Sequence, residues 1–191
     1  ISQRPITITP TSAQSRTYGD DLASDTYKLG YSITSGTLAS TDSFAGYLSA
    51  VSLNAGSRNI TIGSLDIQDG SSTSMLSNYD YTLATVSLTI DKKALSITGT
   101  SVTKVYNGST SAGNVSAGTL SGFVGTETVA IDTATATSYS GKNFGTYTVT
   151  VSYTLKDGTN GGLADNYSLA NSTINDATIS KRSITITPTS S

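Results

Sequence analysis

Few side chains in this chain could do chemistry. Its carboxylates include two close pairs, Asp66 with Asp69 and Asp157 with Asp165. General acid–base catalysis needs two carboxyls converging in a cleft, or one beside a partner that tunes it. These pairs read instead as solvated turn residues, and no set of nucleophile, base and oxyanion donors can be assembled around them. The 191 residues include no Cys, His or Trp. Ser–His–Asp and Cys–His catalysis therefore lack their base. A Zn, Cu, haem or iron–sulfur centre would have neither thiolate nor imidazole to hold it. The expectation is a protein that is not an enzyme, with no catalytic residue, no cofactor and no assigned metal ligand.

Three other constellations bear on binding. The run Asp157-Gly-Thr-Asn-Gly-Gly-Leu-Ala-Asp165-Asn166 places oxygen ligands on a Gly-rich loop and is the candidate calcium site. It lacks the acidic spacing and terminal Glu of an EF-hand, and Asp66 to Ser74 with Asn78, at the matching place, is spaced differently. An Asx/Gly turn is the preferred reading. A Lys beside an Asn and a protonated carboxyl could close an isopeptide cross-link, but Lys104 with Asn107, and Lys142 with Asn143, are too near in sequence for a useful one. Among 11 Tyr and 3 Phe, a surface ring could stack on a sugar or anchor a protein. Tyr147 and Tyr153 fall on alternating positions and read as core or cross-strand residues.

The elements that position these residues are repeated. Arg4-Pro-Ile-Thr-Ile-Thr9, Lys93-Ala-Leu-Ser-Ile-Thr98 and Arg182-Ser-Ile-Thr-Ile-Thr187 start 89 residues apart. Tyr18-Gly19 recurs as Tyr106-Asn-Gly108, and Asn78-Tyr79 as Asn166-Tyr167, both 88 apart. Looser matches join Gly36-Thr-Leu38 to Gly118-Thr-Leu120, and Ala55-Gly56-Ser-Arg58 to Ser140-Gly141-Lys142. The chain therefore reads as modules at 1–91 and 92–180, with 181–191 as the first strand of a following repeat. No leader is legible and the sole Met is Met75, so a mature protein or a piece of a longer array is expected.

Period-2 alternation runs through Ile6/Ile8, Val86/Leu88/Ile90 and Tyr147/Val149/Val151/Tyr153, with Thr and Ser between. The expected fold is all-β: two tandem antiparallel β-sandwich-like modules of about 89 residues in an elongated arrangement. The alternative is a β-grasp-like module in which Thr41–Leu48 is helical. Apolar parity switches from even (Leu88, Ile90) to odd (Leu95, Ile97) across Asp91-Lys92-Lys93, and again from Ile179 to Ile184 and Ile186. A nearly continuous strand crossing a short charged junction would do this, giving a stiff or semi-stiff rod.

Ser (32) and Thr (33) make up a third of the chain, while charged residues are 13% and net charge is −2. No basic stripe suits nucleic acid, and no apolar run is long enough to cross a membrane as a helix.

Lys104-Val-Tyr-Asn-Gly-Ser-Thr110, followed far downstream by Asn166-Tyr167, resembles the K-x-Y-[DN]-G-[ST]-T signature of YDG-type modules. Thr17-Tyr-Gly-Asp20 with Asn78-Tyr79 resembles the sister YGX-type MBG modules. Such modules occur in tandem in very large bacterial surface adhesins, including filamentous haemagglutinin-like exoproteins. The resemblance implies an extracellular, secreted or cell-surface location and a stalk or spacer that projects a distal adhesive region. Alternatively, the modules themselves bind a glycan, a matrix polysaccharide or a host protein. Expected partners are neighbouring repeat modules of the same chain, with the chain otherwise a monomer.

Overall fold

A computed structural model describes residues 2–188. The chain divides into two compact units, Ile1–Lys93 and Ala94–Ser191. The first contains strands β1 (Arg4–Pro10), β2 (Ser15–Thr17), β3 (Tyr31–Ser35), β4 (Ser43–Ala45), β5 (Ser49–Ala50), β6 (Gly56–Thr61), β7 (Asp66–Gln68), β8 (Tyr79–Leu83) and β9 (Ser87–Asp91). They form sheets in the orders β3-β1-β8 and β2-β9-β6-β5, with β4 paired to β7. Ile6 and Ile8 of β1, Ile60, Ile67, Tyr79, Leu88 and Ile90 share one buried cluster, so side chains from all three sheets close the core.

The second unit holds β10 (Lys93–Thr98), β11 (Ser101–Val105), β12 (Asn114–Ser116), β13 (Thr119–Ser121), β14 (Val129–Ala136), β15 (Gly145–Asp157), β16 (Tyr167–Leu169) and β17 (Ser172–Ser180). Its sheets run β13-β10-β16 and β12-β11-β17-β15-β14. The core cluster is built on the larger sheet by Val102, Val149, Val151, Ile174, Ala177 and Ile179, with Ala136 and Tyr139.

The all-β class holds. The sheets are mixed, not purely antiparallel: β1–β8, β2–β9 and β11–β17 pair in parallel. Parallel neighbours need long crossovers, and these pairs are joined by whole stretches of the module. The helical alternative for Thr41–Leu48 does not hold. Ser43–Ala45 pairs with β7, and Gly46 turns the chain at φ +77°. The only helical pieces among the described residues are 3-10 turns at Leu76–Asn78 and Ala164–Asn166.

The parity switch is visible in burial: Leu88 and Ile90 are buried on β9, Leu95 on β10, and one residue, Lys92, separates those strands. Within β17 the parity also changes, from Ile174 to Ala177 and Ile179. A bulge opposite Tyr147/Val149 leaves Asn175 and Asp176 both exposed. Residues 181–188 are coil, with Ile184 and Ile186 80% and 82% exposed. The partners of β1 and β10 lie downstream of them within the same unit. Residues 189–191 lie outside the described residues.

Two glycines close equivalent turns after β3 and β13. Gly36 (φ +77°) and Gly122 (φ +98°) follow Ser35 and Ser121, which pair with Thr7 and Ser96, 89 residues apart. The structural twin of Gly36 is thus Gly122, not Gly118 as the looser sequence match suggested. A Cβ on Gly36 would also run into the Pro5 carbonyl, whereas Gly122 has more room and Gly70 has nothing within 4 Å. Chemical denaturation should therefore rank the Ala variants: Gly36→Ala loses at least about 2 kcal/mol, Gly122→Ala about 1–2, and Gly70→Ala no more than about 0.5.

Candidate functional site

The motif Lys104–Thr110 is a self-contained staple. Lys104 leaves the end of β11 and its Nζ donates to the carbonyls of Ser109 (2.8 Å) and Ser111 (3.0 Å). It also lies 5.5 Å from the centre of the Tyr139 ring. Asn107 Oδ1 accepts from the Ser109 N–H (3.1 Å) and hydroxyl (2.9 Å), an Asx turn made possible by Gly108 at φ +79°. An Asp would accept the same bonds, so Asn107 is a conservative occupant. Lys104 is therefore committed to its own turn, not to an Asn cross-link. In the first unit Arg16 stands at the same register on β2 and does the same work. Its guanidinium donates to the carbonyls of Tyr27 (2.7 Å), Lys28 (2.7 Å) and Ser15 (2.6 Å). Asp20 closes that turn by accepting from the Thr17 N–H (2.8 Å).

A second device also occurs twice. Tyr79 and Tyr167 follow the two 3-10 turns and are 3% and 2% exposed. The Tyr79 hydroxyl donates to Asp42 Oδ2 (2.7 Å) and accepts from the Ala39 N–H (2.8 Å). Tyr167 donates to Glu127 Oε2 (2.6 Å) and accepts from the Val124 N–H (3.1 Å). In each unit the acceptor residue also closes a turn onto the same carbonyl position, Asp42 N–H to Ala39 and Glu127 N–H to Val124. Burial first, then the carboxylate in each case, pushes both phenols above the usual tyrosine range. Asn166 beside Tyr167 is the one buried polar residue among those described, whereas Asn78 is exposed and reaches the Met75 sulfur. Both tyrosine hydroxyls are thus committed to partners within their own units.

The carboxylates are spent on turns. Asp69 Oδ1 accepts from the N–H groups of Ser71 and Thr73 (2.9 Å each). Asp66 takes the Ser74 hydroxyl (2.7 Å), which holds its carboxyl below the usual range. Asp157 Oδ1 accepts from the Ala164 N–H (2.7 Å), across the loop read as the calcium candidate. In that loop Asn160, at φ +56°, donates to the Thr126 carbonyl (2.8 Å), the Gly158 N–H donates to the Gly162 carbonyl (3.0 Å), and the Gly162 N–H donates to the Thr159 carbonyl (3.1 Å). The loop is thus an Asx/Gly-rich turn held by its own groups and by Thr126 and Thr128. Among the described residues no three His, Cys, Asp or Glu converge as a metal group would. Tyr153 meets Thr100 (2.9 Å), and Tyr147 stands edge-on to Tyr139 at 5.5 Å while donating to the Asn143 carbonyl (2.8 Å).

One feature carries a ring that its counterpart in the other unit lacks. Tyr106, Asn143, Phe144, Lys181, Arg182 and Ile184 line a groove of about 450 Å³ in the second unit. Phe144 is 61% exposed, and the Lys181 ammonium sits 5.0 Å from its ring centre. Gly145 pairs with Ile179 as Gly56 pairs with Ile90. This register aligns Asn143-Phe-Gly145 with Asn54-Ala-Gly56, so Ala55 replaces the ring in the first unit. The looser sequence match of Gly56 with Gly141 hid this difference; a strict 89-residue offset would have exposed it.

Residues 91–175 match the YDG domain. The match runs from the end of β9 to the middle of β17 and takes in the Lys104 staple, the Tyr167 lock and the Asp157 loop. No curated protein and no solved structure matches the chain.

Phenylalanine at either locking tyrosine leaves a carboxylate and a backbone N–H short of a partner. Tyr79→Phe and Tyr167→Phe should each cost about 1–3 kcal/mol in denaturant titrations. The raised phenol pKa values set the sign at high pH. The unfolded tyrosines ionise from about pH 10, the folded ones higher, so stability is complete below pH 10 and falls as pH rises through the folded value. The melting temperature should drop on alkaline titration, with a smaller drop in the double Phe variant.

Proposed function

We propose that this chain is a length of structural stalk from a bacterial cell-surface or secreted adhesin. Its first unit is of the MBG/YGX kind, and it is not an enzyme. The observation that carries this reading is the twin construction. Arg16 and Lys104, Tyr79 and Tyr167, and Gly36 and Gly122 perform the same bonding tasks at offsets of 86–88 residues. A module whose repeated side chains are consumed in holding its own loops and turns is built for repetition. Adhesion then belongs to another part of the parent protein. The YDG match of residues 91–175 supports the assignment of the second unit. Among the described residues no helix is long and apolar enough to cross a membrane.

The groove at Phe144 favours a second reading, in which the second unit binds a glycan or protein ligand. An exposed aromatic face with two cations and an amide suits an acidic sugar, and a spacer has no use for a feature present in one module only.

Small-angle scattering on the two-module chain should give a single maximum dimension insensitive to salt. Freely reorienting units would sink the stiff-stalk reading. In parallel, a labelled chain presented to neutral and acidic glycans and to host-type cells should show no saturable binding. Saturable binding that Phe144→Ala weakens on the order of 30-fold would establish the second reading instead.

A further inference from the structure

Residues 179–191 and 1–13 are near copies: Ile-Ser-Lys-Arg-Ser-Ile-Thr-Ile-Thr-Pro-Thr-Ser-Ser against Ile-Ser-Gln-Arg-Pro-Ile-Thr-Ile-Thr-Pro-Thr-Ser-Ala, ten identities in thirteen. The two copies have opposite fates. In β1, Ile6 and Ile8 are 2% and 0% exposed, and the strand lies between β3 (antiparallel) and β8 (parallel). In the second copy, Ile184 and Ile186 are 80% and 82% exposed on coil. Everything the β1 place demands is present in 182–188. Arg182 matches Arg4, whose guanidinium meets the Thr37 hydroxyl, and Thr187 matches Thr9, whose hydroxyl bonds that of Thr34 at 2.7 Å. Ser183 replaces Pro5 and adds a backbone donor.

We propose that Arg182–Pro188 is a competent β1 strand, and that in a second copy of this chain it takes the place between β3 and β8 whenever that copy's own β1 is released. The incoming strand offers the same ladder and the same two isoleucines. Exchange is therefore close to balanced in bonds, and it is decided by concentration and by how often β1 lets go. Because the donor and acceptor surfaces are different parts of the chain, the contact is head-to-tail, giving rings where the rotation closes and open chains where it does not. In the intact chain, β1 holds the place by being covalently attached to it.

The test disables β1 in the full-length chain with Ile6→Asp and Ile8→Asp, which puts two carboxylates where the core is dry. Light scattering should then report oligomers whose mean mass rises with concentration. Adding Ile184→Asp and Ile186→Asp should return the chain to a monomer. Non-specific aggregation is separated by position. Since the chain has no Cys, Thr34→Cys with Thr187→Cys in the β1-disabled background should oxidise to a ladder of covalent oligomers, whereas Thr34→Cys with Ser183→Cys, four residues out of register, should not. The proposal is overturned if the β1-disabled chain stays monomeric. It is equally overturned if the two added Asp leave the oligomers intact, if both Cys pairs link equally well, or if the disulfide closes within single chains.

Discussion

The tyrosine lock is the interaction on which the smaller sheet of each unit depends. Tyr79 is the first residue of β8, and its hydroxyl is held by Ala39 and Asp42 in the loop that follows β3. Since β3 and β8 flank β1, one buried phenol ties together the two neighbours of the central strand. Tyr167, Val124 and Glu127 do the same for β16 and β13 on either side of β10. A buried hydroxyl left without partners costs about as much as a lost hydrogen bond. Here it has both a donor and an acceptor, one of them ionised, so the geometry is fixed from two directions. Asp in one unit and Glu in the other take the same part, each from the last residue of a turn closed onto the carbonyl three residues back.

The rest of each unit is held with little help from charge. The ion pairs Lys28–Asp25 and Lys156–Asp132 are exposed, and such pairs contribute little. What the surface has instead is hydroxyl pairing across strands: Thr9 with Thr34 (2.7 Å), Thr133 with Thr154 (2.7 Å) and Thr128 with Thr159 (2.8 Å). Threonine suits a pleated surface and satisfies its own polar atom there. This accounts for a chain one-third Ser and Thr with 13% charged residues. It also fits a β protein without disulfides, in which packing and cross-strand pairs do the work that cross-links do in small disulfide-bonded domains.

The strands were largely legible because their alternation is local. Ile6/Ile8, Leu88/Ile90 and Val149/Val151 announce their buried face within a few residues. Strand partners were not legible, because pairing β1 with β8 joins residues about 75 apart and leaves no local mark. The same holds for the lock. The Asn-Tyr pairs could be found by their 88-residue spacing, but Asp42 and Glu127 lie 37 and 40 residues before their tyrosines. Asp42 lay at the edge of a segment whose composition suggested a short helix. The calcium candidate was ambiguous in sequence because Asp and Asn serve cations and turns alike. The bond from the Ala164 N–H to Asp157, seven residues away, is a turn contact that no local pattern marks. Phe144 escaped because a tolerant alignment of the repeats forgave the four-residue slip that hid its counterpart, Ala55.

A repeated strand sequence has a consequence for specificity. Each unit opens with a basic residue followed by alternating apolar and hydroxylated residues, and this pattern occurs three times in the chain. Register along such a strand is set by which face is buried, and the apolar residues fall on the same alternate positions in all three copies. Nothing in the strand itself distinguishes its own slot from that of another unit. Discrimination therefore falls to the covalent connection and to the few positions where the copies differ, such as Pro5 against Ser183 and Ala94. In an array this is tolerable as long as each strand remains next to the unit that follows it, since local attachment outcompetes a free copy. The tyrosine lock makes the arrangement safer. By pinning the two flanking strands to each other, it keeps the slot shaped for one strand and limits the open edge that an exposed β-strand otherwise presents to other chains.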